Sequence, residues 1–127
     1  MPELDRYIPG VPCWIDTTQA DPDAAVEFYA GLFGWEFENT MPAGAPSKYF
    51  IARLRGGDVA AINAPQEDAP AEATWTTYVW VESADETAAK VREAGGQVLA
   101  EPFDILDFGR MAAFTDPEGA AFAVWQP

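Results

Sequence analysis

Residues 21–37 have the sequence DPDAAVEFYAGLFGWEF, and this stretch decides how the chain is organised. Asp21 is a typical helix N-cap, Pro22 suits the first helical position, and Gly34 suits the end of a helix. The apolar residues between them recur at helical spacing and predict a core-facing stripe of Ala25, Phe28, Tyr29 and Leu32. A helix over 22–33 is therefore expected, with one strand before it (CWIDTT, 13–18) and further strands after it.

The same layout recurs 62 positions later in the chain. Three pairs keep this spacing: Asp21 with Ser83, Gly34 with Gly96, and Gly57 with Gly119. Ser83 and Glu86 form a capping box ahead of a second helix, ADETAAKVREA. The repeat predicts an α+β fold made of two tandem βαβββ modules, about 9–63 and about 75–127, joined by a Pro-, Ala- and acid-rich linker over about 64–74. Placed side by side within one domain (1–127), they would form a curved mixed sheet with helices on its outer face and a concave cleft.

Composition excludes several classes of protein. The chain has 127 residues, 49% of them apolar, which fits one compact domain. No apolar run approaches the ~18 residues that span a bilayer, and the acidic N-terminus has no apolar segment typical of a signal peptide. Cys13 is the single cysteine, so an internal disulfide is excluded. A cytoplasmic location is expected.

The charge and the lack of histidine narrow the chemistry further. The formal net charge is −14, which disfavours nucleic acid and anionic membrane surfaces as partners. The chain has no histidine, so His-based triads, His metal ligands and the usual neutral-pH general base are excluded. The acidity itself serves solubility or attracts a cationic small molecule.

Strand alternation places aromatic side chains on the sheet face opposite the helices, where polar, solvent-exposed residues are expected. The helices are expected to cover the face that carries Ile15, Val79, Val81, Phe122 and Val124. The alternating residues would line the concave face: Trp14, Asp16, Ala61, Asn63, Tyr78, Trp80, Ala123 and Trp125. Exposed apolar patches of this size usually mark binding sites, although cover by a loop or a partner chain would make the same aromatics ordinary core.

Polar and flanking residues add further candidates. Asp16 lies in mid-strand, where aspartate is disfavoured, and either serves as a general base or ligand partner or bonds to a neighbouring strand. Arg110 either pairs with Asp104 or Asp107 or meets a ligand oxygen. The Gly/Pro loop 39–50 is of the kind that gates clefts, and Tyr49 or Phe50 would join the wall.

The segments DPDAAVEFYAGLFGWEF and FTDPEGAAFAVWQ together resemble the vicinal-oxygen-chelate superfamily, which includes glyoxalases, extradiol dioxygenases and bleomycin-binding proteins. The resemblance covers nearly the whole chain. It implies that the stretch around Phe103 borders the cleft, although an ordinary packed loop would fit the same residues. It also implies a metal site with one ligand from each of four strands, at positions held here by Trp14, Ala61, Thr76 and Ala123. These residues are not a ligand set, so no metal and no cofactor are expected.

Two functions follow as hypotheses. The first is metal-independent binding of an aromatic or conjugated small molecule, with cationic ligands favoured by the acidic field, as in the drug-sequestering branch that confers antibiotic resistance; the resemblance also implies a homodimer. The alternative is a metal-independent natural-product enzyme (isomerase, hydrolase or cyclase) with Asp16 as base and Tyr78 or Arg110 as the polarising group. The expected ligand-binding residues are Trp14, Asp16, Phe50, Ala61, Asn63, Thr76, Tyr78, Trp80, Phe103, Arg110, Met111, Ala123 and Trp125.

Overall fold

The computed structural model describes residues 7–42, 44–45, 47–65 and 73–127. These residues divide into two compact units. We call residues 15–75 module one, and residues 76–127 together with the N-terminal segment up to Trp14 module two. Most of the predicted linker (66–72) lies outside the described residues. No helix in the described ranges is long and apolar enough to cross a membrane.

Module one contains a βαβββ unit, as predicted. Its elements are β1 (Pro12–Thr18, shared with module two at its start), α1 (Pro22–Phe33), β2 (Glu36–Asn39), β3 (Tyr49–Leu54) and β4 (Gly57–Asn63). The strands lie in the order β2-β3-β4-β1, with β1 and β4 parallel and the other pairs antiparallel. The parallel pairing of β1 with β4 is possible because the connection between them contains α1, which carries the chain back across the sheet.

The ends of α1 form as the sequence predicts. The Asp21 carboxylate accepts a hydrogen bond from the Ala24 backbone N–H at 3.1 Å, and Gly34 ends the helix with φ of 72°. The predicted core stripe is only partly right. Ala25 is buried and Tyr29 half-buried, but Phe28 and Leu32 are more than half exposed.

Module two repeats the same unit. Its elements are β5 (Thr74–Trp80, shared with module one at its start), α2 (Ala84–Glu93), β6 (Gln97–Ile105), β7 (Gly109–Thr115) and β8 (Ala121–Gln126). The strands lie in the order β5-β8-β7-β6, with β5 and β8 parallel. The Ser83 hydroxyl caps α2 by accepting from the Glu86 N–H at 3.1 Å, as predicted.

The core of module two lies between α2 and one face of its sheet. Its buried residues are Ala84, Ala88, Ala112, Phe114 and Val124, with Val79, Val81 and Phe122 packed against them. Alanines on the inner side of α2 let the helix approach the sheet closely, and Phe114 fills the space between. The predicted helix-covered face is therefore confirmed for Val79, Val81, Phe122 and Val124.

Candidate functional site

The opposite face of the module two sheet carries most of the predicted binding residues. Strand pairing sets Tyr78 beside Ala123, Trp80 beside Trp125, Trp125 beside Met111, and Met111 beside Phe103. Paired residues project to the same side of a sheet. Thr76 lies two residues before Tyr78 on β5 and therefore points to that side as well. We call this surface the aromatic face, made of Thr76, Tyr78, Trp80, Phe103, Met111, Ala123 and Trp125.

Small residues form the middle of the aromatic face and large ones surround it. Ala123 is fully buried, and it pairs with Ala113 on one side and with Tyr78 on the other. Tyr78, Trp80, Met111 and Trp125 are half-buried, while Phe103 is more exposed. A surface with the small Ala123 at its centre and indole and phenol rings around it is suited to a flat apolar molecule.

The position of Trp125 depends on a glycine in β7. A Cβ atom added at Gly109 would lie 2.6 Å from Cζ2 of Trp125 and 2.6 Å from the Gln126 carbonyl oxygen. Carbon atoms in contact lie about 3.5–4.0 Å apart, so the ring occupies the space that any other residue would need. Gly109 therefore fixes how the Trp125 indole lies on the aromatic face.

The backbone of Trp80 bonds to the N-terminal segment, and the backbone of the next residue bonds to β8. The Gly10 N–H donates to the Trp80 carbonyl at 2.8 Å, the Trp80 N–H donates to the Val11 carbonyl at 3.1 Å, and the Val81 N–H donates to the Trp125 carbonyl at 2.9 Å. The indole Nε1 of Trp80, by contrast, is buried with no hydrogen-bond partner in the described part of the chain. A buried donor without an acceptor costs about 1–3 kcal/mol.

Module one brings together a second, smaller set of predicted residues. Asp16 pairs with Ala61, and Asn63 pairs with Tyr49. Ala61 is fully buried and the side chain of Asp16 is only 4% exposed. The Asn63 Oδ1 accepts a hydrogen bond from the Thr18 hydroxyl at 2.7 Å. The carboxylate of Asp16 is thus enclosed in mid-strand beside an alanine, with Asn63 on the same side of the sheet.

The register decides between Tyr49 and Phe50. Tyr49 pairs with Asn63 and so shares its side, whereas Phe50 pairs with Ile62 and projects to the opposite side. Of the two alternatives, Tyr49 therefore lies on the side of Asp16 and Asn63 and Phe50 does not, because neighbouring residues of a strand alternate between the two faces. A ligand contact by either residue stays a prediction. The Lys48 ammonium lies 6.0 Å from the centre of the Phe50 ring.

Arg110 is also on the wrong side to meet a ligand on the aromatic face. It pairs with Gln126, one position out of phase with Met111 and Trp125, and its guanidinium bonds to Asp85 at 2.9 Å and to Asp104 at 3.0 Å. These bonds hold the pKa of the Asp85 carboxyl below its usual value. The predicted pairing with Asp104 is confirmed, while the alternative ligand contact stays a prediction that these ion pairs disfavour.

Trp14 is half-buried and belongs to module two, whereas Asp16, two residues later on β1, belongs to module one. The expected cleft that draws on both modules stays a prediction, and so does the role of Trp14 in it.

Comparison with known proteins identifies the family. The model of the Glyoxalase/Bleomycin resistance protein/Dioxygenase superfamily matches residues 14–124. The chain belongs to this superfamily. The match extends from the first strand to the last, so it covers both βαβββ modules and confirms the resemblance seen in the two repeated segments.

Relatives in two genera share about 40% sequence identity with this chain. "Putative glyoxylase CFP32" of Mycobacterium tuberculosis is 41% identical over 128 residues, covering 99% of this chain. "Anthracycline biosynthesis protein DnrV" of Streptomyces peucetius is 39% identical over 136 residues, covering 97% of this chain. In both cases the match covers 49% of the relative, so the chain spans about half the length of the curated relatives it matches.

Solved structures share the fold at lower identity. A variant of the methylmalonyl-CoA epimerase of Streptomyces coelicolor superposes with a TM-score of 0.67 at 20% identity, covering 94% of this chain and 98% of the epimerase. The epimerase of Mycobacterium tuberculosis gives a TM-score of 0.67 at 15% identity, covering 98% of this chain and 93% of the epimerase. These likenesses show the glyoxalase fold alone.

The metal site implied by the superfamily does not fit the residues present. Ala61 and Ala123 are fully buried and have no donor atom, and the two other positions hold Trp14 and Thr76. Within the described ranges no group of three or more His, Cys, Asp or Glu side chains converges on one point. Burial also raises the pKa of the Cys13 thiol, which disfavours the thiolate that binds metal. No step of a mechanism is therefore assigned to a metal.

Sequence reasoning missed two residues of the aromatic face. The sequence around Gly109 is typical only of a turn into a strand, and Ala113 is absent from the residues predicted to bind a ligand. Alternation from Met111 to Ala113 would have found the second. Nothing local distinguishes Gly109 from an ordinary turn glycine, because the ring that excludes a side chain there comes from β8.

Proposed function

We propose that the protein binds an aromatic or conjugated small molecule, without a metal, on the aromatic face of module two. One observation carries the proposal: strand register gathers Tyr78, Trp80, Met111 and Trp125 around the buried Ala123. Each aromatic contact with a ligand would contribute about 0.5–1.5 kcal/mol beyond area burial. Affinity in the micromolar range corresponds to about 8 kcal/mol, so burial of the ligand's apolar surface must supply the larger part of the binding free energy and the aromatic contacts add to it.

The orphaned indole N–H of Trp80 supports a ligand with an oxygen acceptor. Its hydrogen bond is unmet in the described residues, so an acceptor brought by a ligand would recover the cost of its burial after a small rotation of the ring. The net charge of −14 favours ligands that also carry a positive charge. The relative DnrV is an anthracycline biosynthesis protein, which supports a flat polycyclic ligand.

The biological role that we propose is sequestration, in which an antibiotic or similar compound is held unmodified and the cell is protected. We also propose that the protein acts as a homodimer. A cytoplasmic location stays a prediction from the sequence.

A second candidate is a metal-independent enzyme acting on a natural product, with Asp16 as general base. The near-complete burial of Asp16 favours it, and so does the similarity to DnrV, which is an anthracycline biosynthesis protein. Arg110 is not available as the polarising group of such an enzyme, because its guanidinium is committed to Asp85 and Asp104. General-base chemistry needs the carboxylate within hydrogen-bond reach of a substrate proton.

Calorimetric titration with an anthracycline and a panel of other aromatic antibiotics, with and without EDTA, tests the proposal. Saturable binding that EDTA leaves unchanged is expected, with Trp125→Ala weakening it by about tenfold, which is ~1.4 kcal/mol. The matched control is Trp75→Ala, because Trp75 is a partly exposed tryptophan that packs on Tyr29 of α1. Binding that needs a metal, or equal losses in both variants, would overturn the proposal, as would no binding of any compound.

Mass spectrometry of the recovered ligand separates the two candidates. Sequestration returns the compound unchanged from wild-type protein and from Asp16→Asn. A new product formed by wild type and lost in Asp16→Asn would establish the enzymatic alternative.

A further inference from the structure

Strand β6 turns every third residue, rather than every second, to the aromatic face. Its pairs with β7 include Gln97 with Thr115, Ala100 with Ala113 and Phe103 with Met111. On a regular strand, residues three positions apart face opposite sides of the sheet. The register shifts once between Val98 and Ala100 and again between Ala100 and Phe103. Each shift is a β-bulge that adds one residue to β6, so Gln97, Ala100 and Phe103 all project to the same side.

The two bulges keep large side chains away from the middle of this surface. A regular β6 that ended on Phe103 would direct Glu101 and Leu99 to the aromatic face. Glu101 instead bonds to Arg92 of α2, on the opposite side of the sheet. Bulges interrupt the hydrogen-bond ladder and often lie next to binding sites, where they redirect a side chain. Here they place Ala100, the smallest residue of β6, where a leucine or a glutamate would otherwise lie.

With the bulges in place, three rows of side chains cross strands β8, β7 and β6. The small row is Ala123, Ala113 and Ala100, the apolar row on one side of it is Trp125, Met111 and Phe103, and the polar row on the other side is Ala121, Thr115 and Gln97. Paired residues project to the same side of a sheet, so each row runs perpendicular to the strands. The small row is therefore the floor of a shallow trough across the sheet.

The trough has one closed end and one open end. Tyr78 of β5 pairs with Ala123 and ends the small row with a phenol ring. Ala123 is fully buried, whereas Ala113 and Ala100 are half-buried and reach solvent. In the described part of the chain β6 is the last strand of the sheet, so the row does not continue beyond Ala100. A molecule in the trough can therefore project past β6 but not past Tyr78.

We propose that the ligand is a linearly fused polycyclic compound that lies along this trough, across the strands, with one end at Tyr78. The inference rests on the proposed function and adds the shape and the orientation of the ligand. Neighbouring strands lie about 4.8 Å apart, so the row from Tyr78 to Ala100 spans about 14 Å, roughly the length of four fused aromatic rings.

The two long edges of the trough require different chemistry from the ligand. The apolar row offers the rings of Trp125 and Phe103 and the thioether of Met111 to one long edge. On the other side, the Thr115 hydroxyl and the Gln97 carboxamide can each donate and accept hydrogen bonds. Carbonyl or hydroxyl oxygens along that edge of the ligand would match them. A charged or bulky substituent fits only at the end that projects past β6.

Fluorescence titration with naphthalene, anthracene and tetracene, each carrying an aminomethyl group on an end ring, tests the length of the trough. Affinity should rise about tenfold with each step, because each longer compound buries more apolar surface. Ala100→Leu fills the open end, so it should weaken tetracene by about tenfold or more and naphthalene much less. The matched control is Ala89→Leu, which makes the same change at an exposed position of α2 and should leave the series intact.

Two comparisons test the orientation. Anthracene with its aminomethyl group on an end ring should bind at least about tenfold more tightly than the isomer substituted on the middle ring, whose substituent would meet a side row. Thr115→Val removes a hydroxyl at constant shape. It should weaken the end-substituted anthraquinone, which has carbonyl oxygens on its middle ring, about fivefold more than it weakens the anthracene.

The outcomes separate this inference from the proposed function. If none of the probes binds, both are wrong. If the probes bind with affinities that do not depend on the number of rings, the trough is wrong and the aromatic face stands. Equal losses for naphthalene and tetracene in Ala100→Leu, or tighter binding of the anthracene substituted on its middle ring, would likewise overturn the trough alone.

Discussion

The ring of Trp125 occupies the space in which a side chain at residue 109 would begin, since a Cβ on Gly109 would lie only 2.6 Å from Trp125 Cζ2. The two residues belong to neighbouring strands, β8 and β7, and the contact lies on the aromatic face. Gly109 has no positive φ, so the requirement for glycine here comes from packing rather than from backbone conformation.

Gly109→Ala should therefore displace the Trp125 indole. Overpacking of this kind costs about 1–3 kcal/mol, which we expect to see in urea unfolding. Tryptophan emission should shift as the ring moves, and binding of an aromatic ligand should weaken if the aromatic face holds it. Gly57→Ala is the control, because a Cβ there would make only an ordinary contact of 3.7 Å. Equal stability of the two variants would show that the ring relaxes at no cost.

Arg110 should matter for stability but not for binding, because it lies on the α2 side of the sheet. Its hydrogen bonds to Asp85 lower the pKa of that carboxyl from the ordinary 3.8. A carboxyl whose pKa is lower in the folded state stabilises the fold above its unfolded pKa, and this contribution is lost as the pH falls through the folded pKa.

Arg110→Gln should therefore reduce the free energy of unfolding at neutral pH and much less in acid, below the folded pKa of Asp85. Carbon-detected NMR titration should show the pKa of Asp85 returning towards its ordinary value in the variant. Ligand affinity should be unchanged. A large loss of affinity in Arg110→Gln would show that Arg110 does contact the ligand, contrary to the side of the sheet on which it lies.

Phe114→Ala should be among the most destabilising substitutions in module two. Phe114 is fully buried between α2 and the sheet, 5.6 Å from the ring of Phe122, and removing such a side chain costs about 3–5 kcal/mol. Phe108→Ala is the matched control, since Phe108 is mostly exposed in the β6–β7 turn. Thermal and urea unfolding measure the stability of both variants. Comparable losses of stability would contradict the exposed position of Phe108 and show that its ring is packed in solution.

Loss of the cap on α2 should have a moderate effect. Ser83→Ala removes the acceptor for the Glu86 N–H and should cost about 1 kcal/mol. Ser83→Asn keeps an acceptor and should recover most of that stability. Urea unfolding of the three proteins checks this, and an asparagine variant no better than alanine would mean that the backbone, not the side chain, sets the start of α2.

Local chemistry in the sequence was sufficient for the elements and their repetition. Asp21, Gly34 and Ser83 mark helix ends through bonds to residues three or four positions away, so neighbouring residues alone specify them. Period-two alternation likewise placed Tyr78, Trp80 and Trp125 on one side of their strands, because alternation is a property of each strand by itself. The family followed from the same repeated segments.

Tertiary structure alone decided which strands face each other and in what register. Whether Tyr49 or Phe50 lies beside Asn63 depends on the pairing of β3 with β4, and the side taken by Arg110 depends on the pairing of β7 with β8. The exposure of Phe28 and Leu32 depends on how α1 lies on its sheet, which helical spacing does not specify. Residues far apart in the chain set these relationships, so no local pattern records them, and they determine which side chains remain available for a ligand or a second chain.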